Sequence, residues 1–483
     1  MVCVRADMAG RFYIENFGCR ATQADTAAVE RQLRAQGLEA VPAPELADVV
    51  VVNTCTVTAA ADAQARQAIR RIHRGNPRAQ ILVTGCYAQR APEELAALEG
   101  VGWVVGNSHL AEIGALLASP PPGPDPSDFF PVARLSTGVL PGAAASARIL
   151  TGDIFAQTTV SVAPAYDGEG DRTRPVLKIQ DGCNNRCAFC VIPFVRGRSR
   201  SLPPEQVLAE IRRLVAAGYK EVVLSGIHLG SYGRDLSPRI ELTELIRRIL
   251  EETGLPQLRL SSIEPMDVTQ DFVELVATSG RIARHFHIPL QSGSDRILAA
   301  MHRWYRAAHY ARRIELIRKR VPEAGIGADL IAGFPGETEA DHAATLRLVE
   351  QLPFTYLHVF PFSERPGTAA AAMPDRVPPA TVRRRSRELR QLADEKAARF
   401  RAAQIGRCLR VLTLQHTGLT DGTSWTEALT DNYLRVRLTG SYPANEFVHV
   451  WVTGADEAML LARRADLQPV APAGASCAAP PCS

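Results

Sequence analysis

The chain has 483 residues, is 46% hydrophobic and 22% charged, and carries a formal net charge of +4 from 55 Lys+Arg against 51 Asp+Glu. That balance excludes a highly basic nucleic-acid coat and an acidic disordered chain, and the length predicts two to four domains at roughly 100–200 residues each. No apolar run reaches the roughly 18 residues of a spanning helix, and the first residues lack the basic-then-apolar pattern of a signal peptide, so a cytoplasmic protein with no membrane partner is expected. Ten cysteines in such a chain point to metal or catalysis before disulfides.

Residues 1–10 read as a tail. Over 11–118, short apolar runs (FYIENFG, DVVVVNT, ILVTG, WVVG) alternate with helical patterns, which predicts a parallel α/β sheet. Residues 119–175 are rich in Pro, Gly, Ala and Ser and read as a linker or irregular connection. From Val176 the alternation resumes. Six candidate strands, 176–180, 221–226, 258–262, 285–290, 326–333 and 356–361, predict a partial or complete (β/α) barrel over 176–403, with a doubly wound sheet as the alternative. The last part of that span, 376–403, is one charged helical stretch. Residues 404–470 are short β-rich segments between turns and predict a small all-β barrel; 471–483 read as a disordered tail.

Two groups of cysteines stand out. Cys183, Cys187 and Cys190 have C-x3-C-x2-C spacing directly after the first barrel strand. Three thiolates there can wrap one face of an iron–sulfur cluster and leave one metal position open, as catalysis requires. A zinc knuckle completed by a distant residue is the alternative. Cys19, Cys55 and Cys86 each end a predicted strand, and in a parallel sheet those ends line one edge, where three distant thiolates can converge. Three separately buried structural cysteines are the alternative there.

The local triad, with Phe189 before its last cysteine, resembles the CxxxCxxC loop of the radical S-adenosylmethionine (SAM) superfamily. GCRATQADT, VVNTCTVT and VTGCYAQ resemble the N-terminal motifs of the methylthiotransferase family, and the likeness extends over about residues 11–470. One departure is Thr22, where the family often has Asn. The resemblance implies an α/β chain with a flavodoxin-like N-terminal domain, a partial radical SAM barrel and a C-terminal TRAM barrel. It implies two 4Fe–4S clusters, one on Cys183, Cys187 and Cys190 and one on Cys19, Cys55 and Cys86, with SAM as the other cofactor. SAM contacts are expected at Ser225, Gly226, Ser262, Glu264, Gln291 and Asp329. The implied partners are tRNA, an electron donor of flavodoxin or ferredoxin type, and a sulfur donor that the sequence does not identify.

Within the family, CNNRCAFCVIPFVRGRSRS, LSGIHLGSYGRDL, SSIEP and TDNYLRV look closest to the branch acting on threonylcarbamoyladenosine in tRNA. The branches acting on isopentenyladenosine or on a ribosomal-protein aspartate are alternatives, and a non-catalytic iron–sulfur RNA-binding protein is the alternative of another class. RNA contacts are expected at Arg196, Arg198 and Arg200 after the cluster loop, at Arg435 and Arg437 on one strand, and on the arginine-rich helix at 381–403. Tyr433 and Trp425 are candidates for base stacking or for the core.

Overall fold

The computed structural model describes residues 10–18, 20–118, 147–160, 173–420 and 422–467. Cys19, the two tails and most of 119–175 lie outside the described residues. The chain divides into two compact units, Met1–Pro164 with Val191–Arg198, and Ala165–Cys190 with Ser199–Ser483. Among the described residues no helix is long and apolar enough to cross a membrane.

The first unit is built on a parallel sheet of β1 (Arg11–Asn16), β2 (Glu39–Ala40), β3 (Val49–Thr54), β4 (Gln80–Gly85), β5 (Val101–Gly106) and β6 (Arg148–Leu150), in the order β2-β1-β3-β4-β5-β6. The first five strands have the flavodoxin order. The run of valines in β3 shows why the sheet is covered on both sides. Val50 and Val52 pack under the helix Ala59–Gly75 with Ile69 and Ile72, while Val51 faces the opposite way onto Val29 and Leu33 of the helix Arg20–Ala35. Alternate side chains of a strand point to opposite faces, so an uninterrupted apolar run needs two apolar layers. β6 lies in the Gly/Pro-rich connection and pairs with β5, an element that composition conceals.

The second unit opens with six parallel strands: β7 (Val176–Asp181), β9 (Glu221–Gly226), β10 (Gln257–Leu260), β11 (His285–His287), β12 (Gly325–Ala332) and β13 (Tyr356–Pro361). The short β8 (Arg200–Ser201) runs antiparallel on the edge at β7. Hydrogen bonding gives β10-β9-β7-β8 and β11-β12-β13, and single bridges at Leu258–Ile282 and Ser262–His287 carry the first group into the second. This is the partial barrel expected from the six βα repeats.

The C-terminal strands β14 (Cys408–Thr420), β15 (Thr423–Thr430), β16 (Arg435–Thr439), β17 (Phe447–Ala455) and β18 (Leu460–Arg464) close a five-stranded barrel around Val411, Ala428, Val436, Leu438 and Val450. Its β15–β16 turn reaches the N-terminal ends of the parallel strands. Arg259 donates to the carbonyls of Thr430 and Asp431, and its guanidinium pairs with Glu221, both side chains fully buried. Asn432 presses its backbone on Gly325, and Tyr433, at φ 75°, stacks on His285 with ring centroids 4.3 Å apart. The turn therefore floors the parallel barrel.

Candidate active site

The cysteine loop starts where β7 ends, and buried polar side chains fix its origin. Asp181 accepts from the Gly182 amide at 2.8 Å and pairs with Lys178 at 2.9 Å and Arg200 at 3.3 Å. Gln180 donates to the carbonyls of Asp181 and Gly182 and to Ser199, and its oxygen accepts from the His228 amide. Buried amides with every group paired fix a single geometry. At mid-loop, the Ala188 amide donates to the Met301 carbonyl and its carbonyl accepts from Ala370. Ala188 itself is buried among Ile297, Met301 and Phe334.

Cys183, Cys187 and Cys190 are half-buried on this loop. The Asn185 amide points at the Cys183 sulfur, 3.4 Å away, and Arg303 Nη1 points at the Cys187 sulfur, 3.3 Å away. Arg303 also pairs with Glu264. Burial pushes the Cys187 thiol up, and Arg303 pulls it back. Burial alone would lower the His228 imidazole, but Asp267, 2.9 Å away, and Cys183 outweigh it and hold it at about 9. Two cationic side chains and a directed backbone N–H at the Cys183 and Cys187 sulfurs suit thiolates that carry a cluster.

The expected SAM residues lie along the same strand ends. Ser225 and Gly226 close β9, and a side chain at Gly226 would meet Gln180, 2.9 Å away. Gln291 sits at φ 67°, in the left-handed region, where its amide donates to the Asp329 carbonyl. Strain of that kind in a non-glycine residue collects at functional sites. Glu264 is on Arg303, as above. Ser262 and Asp329 lie instead against His287, at 2.7 Å from Nδ1 and 3.2 Å from Nε2 respectively.

In the first unit, Cys55 directly follows β3 and Cys86 directly follows β4, and both thiols are buried. The Val57 amide lies 3.5 Å from the Cys55 sulfur, and Asn107 Nδ2 lies 3.6 Å from the Cys86 sulfur. Gly18, at φ 122°, is so close to Cys55 that a Cβ there would stand 2.7 Å from the cysteine's own. The β1 and β3 ends flank the point where the strand order reverses, the ligand crevice of open α/β sheets. Two buried sulfurs with N–H groups aimed at them fit an iron–sulfur ligand set. Thr22, the departure from the family pattern, is buried, and its carbonyl accepts from Asn53 at 2.9 Å.

The RNA expectations need correction at two positions. Arg196 is buried, its guanidinium 2.6 Å from Asp25, and Arg200 is buried on Asp181, so both are withdrawn from solvent. Arg198 is exposed. Arg435 is exposed beside Glu427, while Arg437 pairs with Asp456 and lies over the Trp425 ring, one side of the strand as expected. On the helix Pro379–Ala402, Arg385 and Lys396 are internal, held by Glu337 and by the Glu350 and Leu352 carbonyls. Tyr433 is spent on His285. Sequence reasoning missed Arg303, His228, Asp267 and the lumen histidines His287 and His358. The H-x-H alternation in HFHIPL was a signal for His287; Arg303 had none.

The family profiles that match are the uncharacterized protein family UPF0004, over residues 11–106, and the radical SAM superfamily, over 177–349. The chain is 34% identical over 441 residues to the threonylcarbamoyladenosine tRNA methylthiotransferase MtaB of Aquifex aeolicus (strain VF5), covering 91% of this chain and 99% of that one. It is 36% identical to the protein of the same name from Bacillus subtilis (strain 168), covering 88% and 89%. It is 35% identical to the tRNA-2-methylthio-N(6)-dimethylallyladenosine synthase of Syntrophobacter fumaroxidans (strain DSM 10017 / MPOB), covering 83% and 84%. Among solved structures, the radical S-adenosylmethionine methyltransferase TsrM from Kitasatospora setae, with tryptophan and a SAM analog bound, shares the fold at a TM-score of 0.52 and 17% identity, covering 73% of each chain. Similarity along nearly the whole length of such relatives, together with the radical SAM match, shows that the chain belongs to the radical SAM methylthiotransferases, tRNA-modifying enzymes that use 4Fe–4S clusters and SAM.

Proposed function

We propose that the enzyme places a methylthio group on C2 of N6-threonylcarbamoyladenosine at tRNA position 37. The names of the Aquifex and Bacillus relatives support that substrate. The observation that carries the chemistry is the cysteine loop, where Asn185 and His228 approach the Cys183 sulfur and Arg303 approaches the Cys187 sulfur, with the ends of the neighbouring strands beside it.

In this reading Cys183, Cys187 and Cys190 hold the 4Fe–4S cluster that binds SAM, and Cys19, Cys55 and Cys86 hold the second. A reduced cluster with SAM supplies a carbon radical, which an aromatic C–H without acidic proton or leaving group requires. The protein's own residues bind and orient. Arg303 and the Asp267-held His228 offset the negative charge of the sulfurs. Ser225, Gly226, Glu264 and Gln291, along the strand ends, would hold SAM. A reductant of flavodoxin or ferredoxin type delivers the electron.

Mass spectrometry of tRNA from a strain lacking the gene tests the substrate. The 2-methylthio form should disappear and N6-threonylcarbamoyladenosine should accumulate. Persistence of the methylthio form, in a strain with no second enzyme of this kind, refutes the substrate. The Syntrophobacter relative supports dimethylallyladenosine as a second reading, and the same spectra distinguish it. Anaerobic reconstitution with SAM and a reductant tests the chemistry through formation of 5′-deoxyadenosine.

A further inference from the structure

The lumen of the parallel barrel carries a polar cluster to which the reading above gives no role in the radical step. His287 on β11, Asp329 on β12 and His358 on β13 come from adjacent strands, and their ligand atoms lie within 4.8 Å of one another. Asp329 Oδ1 is 3.2 Å from His287 Nε2 and 3.2 Å from His358 Nδ1. Side-chain exposure rises from 10% at His287 through 25% at Asp329 to 55% at His358. One end of the cluster is thus packed and the other is open.

Strand register shows what surrounds it. His287 is level with Gly327, and Gly327 with Tyr356; Asp329 is level with His358. The Tyr356 ring fills the space that a side chain at Gly327 would take, and its hydroxyl lies 2.7 Å from His285 Nε2. That closes the space on the N-terminal side. Toward the C-terminal end, Phe360 is on the same face of β13 as His358 and is 41% exposed. His358 lies three residues before the end of β13, roughly 10 Å at ~3.3 Å per residue. An apolar ring near the mouth and a His–Asp–His group at that depth fit a planar base that carries a polar substituent.

The substituent's chemistry can be matched to these groups. A dimethylallyl chain is wholly apolar, and against this wall it would desolvate two imidazoles and a carboxylate without giving them partners. A threonylcarbamoyl group brings a carboxylate, a hydroxyl and ureido N–H groups. With Nδ1 turned to Asp329, His358 donates from Nε2 only as the imidazolium, the form that two carboxylates, Asp329 and one on the ligand, favour together. We infer that His358, positioned by Asp329 and His287, reads the carboxylate of the threonylcarbamoyl group and sets which N6 substituent the enzyme accepts. This rests on the substrate reading above.

The test compares the reconstituted holoenzyme with its His358→Leu and His358→Gln variants on tRNA bearing either threonylcarbamoyladenosine or dimethylallyladenosine. Rates are normalised to SAM cleavage in the absence of tRNA. His358→Leu should raise KM for the threonylcarbamoyl substrate about ten- to hundredfold, the range of a hydrogen bond to a charged group. It should change kcat less and narrow the preference over dimethylallyl tRNA, and His358→Gln should recover part of the loss. Wild-type activity on dimethylallyl tRNA alone refutes the substrate reading itself. Wild-type activity on the threonylcarbamoyl substrate, with His358→Leu within twofold in KM, overturns only the present inference. So does the loss of one equivalent of zinc on that substitution, which would make the triad a metal site.

Discussion

Arg303 reaches the Cys187 sulfur from outside the cysteine loop, its Nη1 3.3 Å away, while its other terminal nitrogen pairs with Glu264. Donors to cluster sulfurs favour the more negative, reduced state. Arg303→Gln should keep the iron content and lower the midpoint potential of the SAM-binding cluster on the order of 50 mV, the equivalent of about 1 kcal/mol for one electron. The rate of 5′-deoxyadenosine formation should fall with it. Redox titration followed by electron paramagnetic resonance checks the shift.

Gly18 leaves no room for a side chain beside Cys55. Gly18→Ala is strained both by its contact and by its φ of 122°. It should lose about half the iron, as Cys55→Ala should, if each triad serves one of two clusters as proposed. Formation of 5′-deoxyadenosine should survive in both variants. Iron and sulfide analysis decides, and an unchanged iron content would remove Cys55 from the ligand set.

Arg196 and Arg198 are two residues apart and should behave oppositely. Arg196→Leu breaks the buried ion pair with Asp25, a change that typically costs about 3–5 kcal/mol. Its effect belongs in thermal unfolding. Arg198 is exposed, so Arg198→Ala should leave unfolding unchanged, weaken tRNA binding and reduce the salt slope by about one. Binding isotherms at several salt concentrations check it.

Asp341 caps the helix Glu339–Gln351 in a box with Thr338 and also takes Arg296 and Ser294. Burial works to raise its carboxyl, but these partners hold it well below the ordinary carboxylate range. A carboxyl that titrates lower in the folded chain contributes stability above its unfolded pKa and loses it as pH falls through the folded one. Asp341→Asn should therefore cost about 1 kcal/mol at neutral pH. The difference should shrink below about pH 4. Denaturant titrations at pH 7 and pH 3 measure both values.

The parts of the site visible in the sequence were those encoded by local spacing or by strand ends. Cys183, Cys187 and Cys190 share one loop, and Cys55 and Cys86 follow strands marked by apolar runs, VVVV and ILV. The six parallel strands were legible for the same reason. Arg303, His228 and the His287–Asp329–His358 group were not, because strand register and loop packing, not spacing, bring them together. Arg196 misled in the other direction. An arginine in RGRSRS looks solvated, and Asp25, far away in sequence, helps to hold it inside.

The Tyr433 turn gives the barrel a blind end. On the proposed function, methionine and 5′-deoxyadenosine then cannot drain past that turn, and they depart on the strand-end side, where SAM would be held.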